Sequence, residues 1–323
     1  MELFWGLVWC LELFFWRKVA RRNSKADPGN FTDYLTHVAG RLLRIAAVLS
    51  CTALAFIGIL NFLGHMLLYH PRPYRANYQR LLSTGVIELQ FKTSAGQQTA
   101  FYIPPHVGSG VPDRIWVAFC GNGSLALDWL PLTARDQIPG DAFLLVDYPG
   151  YGKSEGWPNI ANTRSAADGA LVALAARLGA EPITLEPRLD TIGHSLGAAA
   201  ALDFASRHPQ VHRIILLAPF TSLRDEAALF IGSFLSHVLG ENYDNRAALR
   251  HLAQYRPPPR VVIFHGLQDA MIPSAMGREL AAEFPGFVTF RGIPETDHNT
   301  VASAAEDAIL KSMADDAKER SAR

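Results

Sequence analysis

The sequence predicts an α/β domain on a mostly parallel eight-stranded sheet flanked by helices, preceded by a transmembrane helix. Three observations carry this expectation. An uncharged apolar run begins at Ile45. From about residue 84, short β-rich runs give way to an alternation of strand-like and helix-like stretches, the pattern of a parallel sheet with covering helices. The third is Gly193-His194-Ser195-Leu196-Gly197, with an apolar run before it (Leu189 to Ile192, broken by Asp190) and a small-residue helical run after it (Ala198 to Phe204). That is a strand, a sharp turn and a helix, with a serine at the apex.

Met1 to Trp16 is apolar but short for a bilayer span. At ~100° per residue, Glu2, Trp5, Trp9, Glu12 and Trp16 share an arc of roughly 80°. That face suits a helix lying at headgroup level; a short span is the competing reading. Residues 17–44 are a basic and polar connector. Ile45 to Tyr69 is nearly continuous apolar sequence whose first twenty residues hold no charge. About twenty such residues cross a bilayer core as a helix. A cleaved signal peptide does not fit, because the run starts late and His70-Pro71-Arg72-Pro73 has no small-residue cleavage site.

Arg17, Lys18, Arg21, Arg22, Lys25, Arg41 and Arg44 precede the run, whereas Arg72, Arg75 and Arg80 follow it. The positive-inside rule then puts the N-terminus in the cytoplasm and the main domain on the other side. Formal net charge is zero over 323 residues, which argues against nucleic acid as a partner. The three cysteines, Cys10, Cys51 and Cys120, form no disulfide framework and no zinc spacing.

In the main domain, residues 84–314, strands are expected near Val86–Phe91, Thr99–Ile103, Ile115–Phe119, Phe143–Asp147, Leu189–Gly193, Ile214–Ala218, Val261–His265 and Val288–Arg291. Helices are expected near Ala161–Leu178, Leu196–Arg207, Ser274–Glu283 and Thr300–Met313, with a charged tail over 315–323. Ligands of open parallel sheets collect at the carboxyl ends of the strands. The segments that follow strand ends here are Cys120-Gly121-Asn122-Gly123-Ser124, Asp147 to Ser154, Ser195, Gly266 to Asp269, and Asp297-His298-Asn299.

A serine hydroxyl is a weak nucleophile unless a base takes its proton, and the base needs an orienting acid. Ser195, Asp269 and His298 follow three strand ends in the chain order nucleophile, acid, base. Asp269 could instead cap the helix near Ser274. Asp297 could compete as the acid, but adjacency to His298 makes the geometry poor. Gly193 and Gly197 flank the serine where a strand and a helix converge and side chains do not fit. His194 is expected to point away from the serine as a structural residue, and His265 to be core. The oxyanion donors are expected to be the backbone N–H groups of Asn122 and Leu196.

From Ile115 to Val301 the chain resembles the α/β-hydrolase superfamily, in particular membrane-anchored serine hydrolases akin to lysophospholipases and monoacylglycerol lipases. The Gly121-Asn122-Gly123 loop, DYPGYGKSEG (Asp147 to Gly156), GHSLG, APFTSL (Ala218 to Leu223), HGLQD and DHN carry the resemblance. It implies the triad roles above and a shaping role for DYPGYGKSEG beside the site. Relatives usually carry His-Gly at the oxyanion loop, where this chain has Cys120-Gly121. Cys120 as a second nucleophile is a poor fit, since it lies on another loop with no paired base.

Many relatives insert a lid between the sixth and seventh strands. Here Asp225 to Pro259 leaves room for only a minimal one, with an apolar run over Ala227 to Leu239. A core-packed helix and a wall toward an acyl chain or lipid are the two readings of that run.

The expectation is a bilayer-tethered serine hydrolase acting on carboxylic esters or thioesters of lipid or acylated small molecules, with no cofactor and no metal. A peptidase or amidase on the same machinery, and a catalytically silent binding protein, are the alternatives.

Overall fold

A computed structural model describes residues 31–75, 78–82, 85–108 and 110–321, with side chains over 36–315 of those. The expected helix at residues 1–16 lies outside the described residues. The chain divides into two compact units between Leu60 and Asn61. The first is described only as helix α1, which runs from Phe31 to Leu68 and so continues into the second unit.

Helix α1 starts fourteen residues before the expected Ile45, well inside the stretch read as a polar connector. Residues 31–44 hold no proline, and Leu35, Val38, Leu42 and Leu43 recur at helical spacing, so nothing local stops the helix. Within it, Thr36–Leu68 is long and apolar enough to cross a bilayer.

The second unit is built on eight strands in the order β1-β2-β4-β3-β5-β6-β7-β8. They are β1 Ile87–Thr93, β2 Gly96–Ile103, β3 Arg114–Phe119, β4 Asp141–Val146, β5 Leu189–His194, β6 Arg213–Leu217, β7 Arg260–Gly266 and β8 Val288–Ile293. The β1–β2 and β2–β4 pairs are antiparallel and all later pairs are parallel. The strands β3, β4 and β6 are buried along their whole length. That explains their continuous rather than alternating apolar sequence, because both faces of a parallel sheet are covered.

The longer helices after α1 are α2 Ile160–Leu178, α3 Leu196–Arg207, α4 Leu223–Ile231, α5 Asn245–Leu252, α6 Ser274–Glu283 and α7 Glu306–Ser321. Helix α2 packs on β1 and β4, α3 on β3, β5 and β6, and α6 on β7 and β8. Asn159 caps α2 through its side chain, accepting from Asn162 N–H, and Gly179 ends it in the left-handed region.

The N-terminal edge of the sheet holds buried charge. Arg114 donates to both carboxylate oxygens of Asp141, one at 2.8 Å, and its Nη1 reaches the Met313 carbonyl of α7 at 2.8 Å. Trp116 Nε1 adds a bond to Asp141, and Asp190 accepts from Arg213 N–H. These charges are tolerated because each is paired and hydrogen-bonded. A cavity of about 400 Å³, lined among others by Arg213, Arg260, Arg291 and Lys311, lies on this side of the sheet.

The register sets the other edge. Phe119 of β3 pairs with Val146 of β4 and with Gly193 of β5. His194 pairs with Leu217, Leu217 with Phe264, and Gly266 with Ile293. The strands therefore end nearly level, and the loops that follow them share one rim.

Candidate active site

Ser195 sits between β5 and α3 at φ 56°, ψ −119°. This is a left-handed conformation that a non-glycine residue adopts only when its surroundings enforce it. The enforcement is visible. Ser195 N–H donates to Leu217 O on β6 at 2.8 Å, and Ala198 N–H bonds back to Ser195 O at 2.9 Å. A Cβ on Gly193 would overlap the Gly197 carbonyl, and a Cβ on Gly197 would overlap the carbonyl oxygens of Phe119 and Cys120. Both glycines are thus required by backbone-to-backbone approach.

The His298 imidazole Nδ1 bonds Asp269 Oδ2 at 2.7 Å, and both residues are buried. Asp269 follows β7 in a tight turn, where its Oδ1 accepts from Met271 N–H at 2.9 Å and Ile272 N–H at 2.8 Å. It does not cap α6, whose N-cap is Pro273. Burial opposes the Asp269 charge, but hydrogen bonds from His265, His298 and Ile272 N–H outweigh it and hold the carboxyl well below its usual range. Asp297 is occupied elsewhere: its Oδ1 accepts from Asn299 N–H, Thr300 N–H and the Thr300 hydroxyl.

The two loops carrying Asp269 and His298 are fastened together. Gln268 N–H donates to Thr296 O at 2.9 Å, and Gly266 permits this because a Cβ there would strike the Thr296 backbone. His194 fastens the serine's strand to the same loop. Its Nε2–H donates to the His298 carbonyl at 2.9 Å, and the two rings lie 5.0 Å apart. Burial pushes the His194 imidazole down to about 4, so it is neutral at ordinary pH. His265 is core, as expected, but not inert. Its Nε2–H donates to Ile272 O at 2.9 Å and lies 3.4 Å from Asp269 Oδ2, so it braces the acid.

The structure thus joins Asp269 to His298 and sets Ser195 on the same rim. Among the described hydrogen bonds, none joins the Ser195 hydroxyl to His298. The backbone N–H groups of Asn122 and Leu196 also have no described acceptor; for Leu196 this follows from its place in the first turn of α3.

The DYPGYGKSEG segment explains its own composition. Tyr148 OH donates to Cys120 O at 2.6 Å, and Tyr151 OH donates to Asn122 O at 2.6 Å. Asp147 is fully buried, accepts from Ala126 N–H and Tyr74 OH, and is pushed up to about 7 by burial. Cys120 is buried too, which pushes its thiol up and leaves it a poor nucleophile.

The apolar run Ala227–Leu239 is not a core helix. Gly232, at φ 80°, breaks it into α4 and a one-turn helix Ser233–Ser236. Leu229, Phe230 and Phe234 are 58%, 75% and 84% exposed. The same helix carries a residue that pattern reading passed over. The Glu226 carboxyl lies close enough to His298 and Asp269 to feel both charges, and burial pushes it up to about 7. Its only sequence signal was a carboxylate in the helix after APFTSL.

A parallel sheet of this order, with a strained serine on a strand–turn–helix and an Asp–His pair on the same rim, defines the α/β-hydrolase fold. The chain therefore has that fold. A family model described as serine aminopeptidase S33 matches residues 132–257, which includes Ser195 and stops short of Asp269 and His298. An uncharacterized protein of Mycobacterium tuberculosis is 24% identical over 260 residues, covering 79% of this chain and 89% of that protein. The α/β-hydrolase of Vibrio vulnificus superposes with a TM-score of 0.61 at 20% identity, over 78% of this chain and 93% of that one. An esterase of Pyrococcus furiosus gives 0.57 at 15% identity, over 78% and 98% of the two chains. At these identities the structural likeness speaks for the fold.

Proposed function

We propose that this chain is a membrane-anchored serine hydrolase that cleaves carboxylic ester or thioester bonds of lipid or acylated substrates. The observation that carries the reading is the 2.7 Å bond from His298 Nδ1 to the buried Asp269 carboxylate, on the rim where Ser195 stands. With Nδ1–H held by Asp269, the lone pair of His298 is on Nε2. It takes the Ser195 proton as Oγ attacks the acyl carbonyl. The N–H groups of Asn122 and Leu196 receive the oxyanion. His298 then protonates the leaving group, and water, activated by the same imidazole, releases the acid from Ser195. Exposed Leu229, Phe230 and Phe234, on the segment that also brings Glu226 toward the triad, suit an amphiphilic substrate.

A fluorophosphonate probe is expected to label the wild-type chain and not Ser195→Ala. A folded wild type that never labels, or a Ser195→Ala chain that still does, sinks the proposal. The family description favours one second reading, a serine aminopeptidase or amidase. Turnover of aminoacyl amides in preference to acyl esters would select it.

The apolar stretch of α1 supports the anchor, and the surplus of arginine and lysine before it supports a cytoplasmic N-terminus. A C-terminal tag is then expected to resist protease in sealed inverted vesicles, which keep the cytoplasmic face outward. Digestion of the tag there would reverse the orientation.

A further inference from the structure

The loop Cys120–Ser124 is made of small residues and has no regular structure, yet each of its five carbonyls accepts a hydrogen bond. Tyr148 OH serves Cys120 O, Ser124 N–H serves Gly121 O, and the Cys120 thiol serves Ser124 O at 3.3 Å. The other two both receive a donor from outside the hydrolase-like motifs, from the segment that follows α1. His70 N–H reaches Asn122 O at 3.1 Å and Tyr151 OH at 2.8 Å, while Tyr151 OH itself donates to Asn122 O. Arg72 Nε donates to Gly123 O at 2.8 Å.

The second arm of the Arg72 guanidinium reaches Asp128 Oδ2 at 2.6 Å. That same oxygen accepts from Leu125 N–H at 2.9 Å, at the far end of the loop. One planar fork therefore grips both the middle of the loop and the turn that closes it. The Arg72 backbone is fixed in turn, because its carbonyl accepts from Gly152 N–H at 2.9 Å.

We infer that Arg72 is a positioning residue for the oxyanion loop, and that the chain leaving α1 is built into the catalytic apparatus rather than serving only as a tether. A peptide unit is planar, so Arg72, by fixing Gly123 O, aims the Ser124 N–H of the same unit; that N–H holds Gly121 O, whose own unit carries the Asn122 N–H. An oxyanion donor that is aimed in advance costs no reorganisation when charge develops. The Arg72–Asp128 pair is half exposed, with side chains 38% and 49% accessible, so it adds little to global stability. Its effect falls on the loop's geometry. Lysine cannot replace it, since a single ammonium lacks the two-pronged donor that spans Gly123 O and Asp128.

The inference rests on the proposed serine mechanism, so the full-length wild type is first labelled with the fluorophosphonate probe. Failure there removes the mechanism and this inference together. With labelling established, Arg72→Met should lower kcat roughly ten-fold while KM stays within about two-fold. Affinity for a trifluoromethyl ketone, whose adduct carries the oxyanion, should fall by the same factor as kcat/KM. A merely structural role would lower the active fraction and leave that affinity unchanged in the folded remainder. If Arg72→Met does not fold, Arg72→Lys carries the test, with the same kcat and inhibitor losses expected. Wild-type kcat and inhibitor affinity in the folded variant, or a loss confined to KM, overturns the role of Arg72 and leaves the triad untouched.

Discussion

Asp269→Asn is expected to lower kcat by roughly four orders of magnitude while leaving the chain folded. The turn that carries Asp269 is held through Oδ1 by two backbone N–H groups, and an asparagine oxygen can accept both. The other oxygen is the one that matters for rate. Asp269 Oδ2 faces His298 Nδ1 at 2.7 Å and His265 Nε2 at 3.4 Å. An asparagine amide there presents N–H groups to two ring nitrogens that now donate. His298 must then turn, or shift its proton to Nε2, and either change removes the base from Ser195. Steady-state turnover with far-UV and thermal-melt controls measures this. A folded variant within ten-fold of wild type would mean that Asp269 is not the acid.

Gly197→Ala should cost about 3 kcal/mol or more of stability and abolish probe labelling. A new Cβ would overlap the carbonyl oxygens of Phe119 and Cys120, which belong to the central strand and its exit. Backbone cannot swing aside as a long side chain can. Relief would need α3 to lift off β3, which unseats the serine and the Asn122 loop together. Denaturant unfolding in detergent, alongside labelling rate, tests it. A variant with unchanged midpoint and rate would show that the elbow has slack the structure does not reveal.

Much of this arrangement was legible in the residues because local pattern and global fold agree. The helices at Leu196–Arg207 and Ser274–Glu283 fall where the sequence puts them, and all eight strands lie within a few residues of their expected places. Four early strand starts share a cause. Arg114, Asp141, Arg213 and Arg260 open strands that were expected to start later, since a charge reads as an exit from the core. Arg114 and Asp141 stay buried only because they find each other across β3 and β4, a pairing that no single stretch announces. The chain order of Ser195, Asp269 and His298 was readable, as was the demand for glycine on either side of the serine. The bracing of the site was not. Tyr148, Tyr151, His194 and Arg72 act through partners 28, 29, 104 and 51 positions away, beyond the reach of periodicity. The apolar run at Ala227–Leu239 left two readings open for another reason: hydrophobicity tells that a surface avoids water, not whether the fold or something outside it provides the cover.

His194 has one more consequence. Its folded site refuses a proton until the pH is near 4, whereas the same side chain in an unfolded chain accepts one near its ordinary value of 6.5. Between those limits the unfolded state binds more protons, so acid progressively favours unfolding, and the loss is complete only once the folded imidazole titrates as well. The bond that ties the end of the Ser195 strand to the His298 loop therefore carries an acid penalty: stability should fall as the pH drops from about 6.5 toward 4, while the bond itself stays intact in the folded chain.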